Sequence, residues 1–142
     1  GQAMKDVPGS RPVFTSANEP GLIYDVLAVN PASAKQNKAE WEKVVKVWDR
    51  VVKYINDPKT QPDAVKIMAA RVGISPAAYL PLLKGTHLLS LADGKKAYVK
   101  GPGFGSIYGS SKVADDFNVA NGVYKAHQDV DSYIDPSFTT AK

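Results

Sequence analysis

Residues 37 to 57, NKAEWEKVVKVWDRVVKYIND, constrain the fold more than any other stretch. Trp41, Val44, Val45, Trp48, Val51, Val52 and Ile55 recur at spacings of three and four. That places two indoles and the branched aliphatics on one stripe of a helix, with charge on the other side. Asn37 is positioned to cap it, with Glu40 three residues later completing a capping-box start. Asn56-Asp57-Pro58 supplies the stop. A helix with this apolar load needs a large apolar partner surface. In a single domain of 142 residues, we expect a sheet to provide it.

Two runs read as the strands of that sheet. Pro12 to Ser16 (PVFTS) is a short candidate, and Leu22 to Val29 (LIYDVLAV) is the best in the chain. Its near-continuous apolarity predicts burial on both faces, as in a mixed sheet flanked by helices, interrupted by Asp25. Thr86 to Leu91 is a strand or extended run, and Ala97 to Lys100 is ambiguous within the polar, glycine-rich stretch 92–105. Helices are expected over 31–36, over 62–72 with proline at the start and Gly73 at the end, and from Ser75-Pro76 to Gly85, with Pro81 kinking the last. A further helix spans 106–121, with Ile107, Ala114, Phe117 and Ala120 inward and Gly122 as its stop. Residues 1–11 read as the tail of a preceding helix and a turn, and 123–142 as an irregular tail.

The chemistry-bearing residues are sparse. The chain has no cysteine, which excludes disulfides, thiolate catalysis and cysteine-ligated metals. Net charge is +4, a surplus spread along the chain that argues little for an anionic partner. Lys43, Lys46, Arg50 and Lys53 form a ridge, but Glu40, Glu42 and Asp49 intersperse it and no aromatic stacks among the bases. It reads as a solvated face and not as a nucleic-acid reader. Gly101 to Gly109 (GPGFGSIYG) departs from both G-x-G-x-x-G and the Walker pattern, so it reads as a mobile loop with Ser106 capping the next helix. His87 and His127 show no ligand-like spacing to carboxylates, so no metal, cofactor or catalytic set is expected. No apolar run reaches the length of a membrane span, and the first residues carry no signal-peptide pattern. Thr15, Ser16, Asn18, Glu19 and Tyr24 crowd the loop between the two strand candidates. Ser16, Asn18, Glu19 and Tyr24 are therefore the expected ligand contacts.

The order of segments is similar to the C-terminal half of periplasmic solute-binding proteins. The subgroup serves ABC importers for nitrate, taurine, alkanesulfonates and thiamine-pyrimidine precursors. The residues that carry the likeness are Pro20-Gly-Leu-Ile-Tyr-Asp-Val-Leu-Ala-Val-Asn30 and the helix from Trp41 to Asp57. Asp63-Ala-Val-Lys-Ile-Met-Ala, Gly73-Ile-Ser-Pro76, Leu-Leu-Lys-Gly85 and Tyr133-Ile-Asp-Pro-Ser-Phe138 follow in order. The resemblance spans about residues 12–138. It implies an α/β fold in which this chain, as one segment, completes one lobe of a two-lobed protein with a mixed sheet flanked by helices. It further implies a non-catalytic, periplasmic or extracytoplasmic membrane-associated subunit that binds a small anion or heterocycle. Its partners would be the missing N-terminal half, a solute and a membrane permease, with no nucleic acid and no cofactor. The alternatives are a stand-alone basic interaction module, or an enzyme of thiamine-pyrimidine synthesis on the same fold. The latter's cysteine-rich motif is absent here.

Overall fold

Local capping chemistry sets most of the element boundaries. In a computed structural model of the chain, residues 2–140 are described. Gly1, in the expected helix tail, and Ala141 and Lys142, in the expected irregular tail, lie outside them. The helices are α1 (Gln2–Asp6), α2 (Pro31–Gln36), α3 (Lys38–Asn56), α4 (Gln61–Val72), α5 (Pro76–Lys84), α6 (Leu91–Ala97), α7 (Ile107–Ala120) and α8 (Ser137–Thr140). Asn30 caps α2, its Oδ1 accepting from the amides of Ala32 and Ser33 at 2.9 and 3.3 Å. Ser75 caps α5 through the Ala78 amide, and Ser106 caps α7 through that of Tyr108. Gly73 ends α4 in the left-handed conformation at φ +72°. Pro81 lies inside α5. Short 3-10 turns occupy Ser16–Asn18 and Val130–Ser132.

Two helix expectations need correction. Asn37 makes no cap hydrogen bond, because it also ends α2, its own amide donating to the Ser33 carbonyl. Glu40 pairs with Lys43 at 2.7 Å instead of closing a capping box. On α7 the expected inward face is only partly right. Ile107 is buried, but Phe117 is 64% exposed, and Ala114 and Ala120 are exposed too.

The larger correction concerns the sheet. Among the described residues there is no strand, so the expected α/β fold with a mixed sheet is replaced by a helix-only architecture. A strand exists only where a neighbour accepts its ladder hydrogen bonds, and no second run is available. Residues 12–16 lead into the Ser16–Asn18 turn. Residues 86–90 lead into α6, where Ser90 caps the helix by accepting from the Asp93 amide. Residues 97–100 are the end of that helix and the turn after it. Residues 23–29 therefore make no backbone–backbone hydrogen bond within the described residues. Ile23, Val26 and Leu27 stand 69, 63 and 63% exposed, where burial on both faces was expected.

What core there is lies along α3 and α4, where Val52, Ile55, Ala64, Val65 and Ala69 are buried. Helix α4 packs on both α3 and α5, and α3 also touches α2 and α8. Ile107 and Tyr108 form a second buried patch at the start of α7. The accessible surface is 10768 Å², against about 7,100 Å² for a closed monomer of 15.3 kDa. About 3,600 Å² more surface is thus open than a self-sufficient chain of this size shows. Among the described residues, no helix is long and apolar enough to cross a membrane.

Candidate functional site

The loop expected to contact a ligand is held together largely by its own hydrogen bonds. Asn18 Oδ1 accepts from the Thr15 amide at 3.0 Å and from the Thr15 hydroxyl at 3.3 Å. Ser16 and Glu19 are exposed. Tyr24 behaves differently: it is half-buried, and its hydroxyl donates to the Phe104 carbonyl at 3.1 Å across 80 residues of chain. Gly21 allows that contact. At φ +87° its Cα faces Phe104, where any Cβ would overlap the Phe104 carbonyl oxygen.

The partner in that junction is the glycine-rich stretch before α7. A Cβ on Gly109 would collide with the Gly101 and Gly103 backbone, so the loop folds back onto the first turn of α7. Ser106 and Ser110 are buried there, and the buried run 106–110 anchors a loop that sequence alone suggests is mobile. Lys100 lies 5.0 Å from the centre of the Tyr108 ring and pairs with Asp131 at 2.8 Å. That ion pair raises the Lys100 pKa and ties the tail to the same corner.

A second cluster forms where the tail turns back over α7. Asp115, only 4% exposed, accepts from the Gln128 amide at 3.0 Å and contacts His127 Nδ1 at 2.7 Å. The Gln128 amide first, and His127 next, hold its carboxyl below the usual value. Asp116 lies 3.5 Å from the same ring nitrogen and pairs with Lys112 at 3.0 Å. Ligand-type atoms of Asp115, Asp116 and His127 fall within 4.8 Å of one another. Sequence spacing gave no sign of this, since the return of the tail after Asn121-Gly122 brings His127 to the carboxylates. Each carboxylate already has a protein partner, so the cluster acts as a clasp for the tail. Beside it is an open depression of about 480 Å³ lined by Ser111, Ala114, Asp115, Tyr124, Gln128 and Tyr133.

The four expected ligand contacts therefore do not converge. Asn18 and Tyr24 are used in holding the fold, and the structure places none of the four at the depression beside α7. What the structure does join are the two loops that the sequence singled out separately, residues 16–24 and 101–109. Comparison with protein-family models, curated proteins and solved structures returned no match.

Proposed function

We propose that the chain is the C-terminal half of an extracytoplasmic solute-binding subunit of an ABC importer. It takes a small anion or heterocycle without catalysis, and a further polypeptide segment completes the molecule. The order of segments supports this, and one structural observation supports it further. Residues 23–29 present apolar side chains and a backbone with no hydrogen-bond partner among the described residues. A run of exposed aliphatics marks a surface that another covers, and the unpaired backbone beside it is free to pair with that cover. A chain with no strand among its described residues and about 3,600 Å² of surplus surface is what remains when such a cover is taken away.

Ser16 and Glu19 are the residues of the 16–24 loop whose side chains form no hydrogen bond or ion pair with other described residues. A carboxylate at Glu19 opposes an anion and favours a solute that offers hydrogen-bond donors. Within the proposed class, an amino-bearing heterocycle or the amine end of taurine suits it better than nitrate. The test is a native mass spectrum of the purified protein beside a denaturing one, followed by equilibrium dialysis against taurine, nitrate and a pyrimidine precursor. A second polypeptide of similar size and saturable uptake of one solute are expected. A lone folded monomer that takes up none of them, or turnover of any, rejects the proposal.

A further inference from the structure

We propose that residues 23–29 pair edge to edge with the same residues of a second copy of this chain, as an antiparallel two-stranded ribbon centred on Val26. The pairing belongs to the 142-residue chain whenever the cover proposed above is absent. It depends on the open segment and not on any solute.

What lies open here is a backbone, and that restricts what can cover it. The seven residues make no backbone–backbone hydrogen bond within the described residues. From Tyr24 to Asn30 the chain runs without turn or bend, and no residue of the segment has a positive φ. Ile23, Asp25 and Leu27 are exposed, and so are Val26 and Ala28. Odd and even positions of an extended run point to opposite faces, so neither face is packed away on the rest of the chain. A helix spends its amides and carbonyls on itself, whereas an extended backbone offers donors and acceptors at the repeat of this one. The cover that suits the segment is a strand.

Length, charge and bulk make that strand a second copy, and an antiparallel one. Pro20 and Pro31 bound the run, and neither has an amide to add to a ladder. A copy brings a free run of the same length, so the two end together. A two-fold axis through Val26 sets Ile23 against Val29, Tyr24 against Ala28 and Asp25 against Leu27. Leu22, Tyr24, Val26 and Ala28 of both copies then share one face, and it carries no charge. Asp25 is the only charged residue from 22 to 29. Parallel copies in register would set its carboxylates side by side on strands about 4.8 Å apart, where like charges repel. They would also put two folded bodies at one end of the ribbon, at that same spacing. A chain of 142 residues has a radius of gyration of about 14 Å, so the bodies fit only at opposite ends. A third strand would return a body to the first end, about 10 Å from the one already there. Pairing therefore stops at two copies.

The experiment uses the full 142-residue chain. Its mass, followed by light scattering from about 5 to about 500 µM, is expected to rise from 15.3 kDa toward twice that. Val26→Pro removes a ladder donor that the single chain does not use, so the rise should vanish while helix content stays. The chain has no cysteine, so Val26→Cys and Ile23→Cys each introduce a single thiol. Across the two-fold axis, position 26 faces its own copy at about 5 Å and position 23 lies about 20 Å from its own. The Val26→Cys variant is therefore expected to oxidise to a linked dimer at least about tenfold faster. A mass that stays at 15.3 kDa throughout, a rise that Val26→Pro leaves intact, growth past two copies, or equal oxidation at the two positions overturns the proposal. The cysteine pair decides the matter even where proline lowers helix content. None of these readouts depends on solute uptake, and a denaturing mass spectrum separates a second copy, with one mass, from a complementary polypeptide, with two.

Discussion

Gly21 and Gly73 share a left-handed backbone, at φ +87° and +72°, but only Gly21 faces protein. Alanine at Gly73 should cost about 1 kcal/mol, the conformational penalty alone. At Gly21 it adds the collision with Phe104, and a loss of about 3 kcal/mol is expected from urea melts. Tyr24→Phe should cost about 1 kcal/mol and add little to Gly21→Ala, because both act on one junction. Additive losses would mean the junction does not form in solution. Asp115 permits a test by pH. Its carboxyl is depressed in the folded state, so its contribution is full above the unfolded value near 3.8 and fades as pH falls from there through the folded value. The Gln128 amide should therefore lose protection from hydrogen exchange below about pH 4 in the natural protein. In Asp115→Ala, which has no acceptor at this position, it should already exchange freely at neutral pH, with no acid transition left to observe. The sequence named Tyr24 and the glycine-rich loop, but not their meeting, because nothing local encodes a contact across 80 residues. His127 was passed over for the same reason.

Elements were far more legible than contacts, because caps and periodicity act over three or four residues. Ser75, Ser106 and Gly73 mark real helix ends, and proline opens α2, α4 and α5 as the sequence suggests. Asn37 misled because it was considered as the start of one helix when it is also the end of another. Its side chain makes no cap bond, whereas Asn30 makes two. Thermal melts of Asn30→Ala should show a loss of about 1 kcal/mol, and those of Asn37→Ala less than about 0.5. Equal losses would show that the hinge between α2 and α3 differs from the one described. Periodicity also tells which face of a helix is apolar, never which part is covered. That is why Trp41 and Val52 lie inward as expected while Val44 and Val51, on the same arc, remain open.

At the scale of the whole molecule, the sheet was the misreading. The apolarity of residues 22–29 is a true signal that something covers them, but it does not say that the cover lies within the chain. Their openness makes a thermodynamic prediction. The unfolded chain exposes about 22,200 Å², so folding to 10768 Å² removes about three quarters of the area that a closed monomer would remove. The heat capacity of unfolding follows area. It should come near 1.4 kcal/mol/K, where a closed domain of 142 residues gives about 1.9. The denaturant slope should fall in the same proportion. Scanning calorimetry and urea melts of the protein alone measure the two quantities. A value near 1.4 means that the α3 stripe and the 22–29 segment stay open surface in solution. A value already near 1.9 for a monomer means the chain closes over its own apolar faces in solution, and a partner would then have nothing to cover.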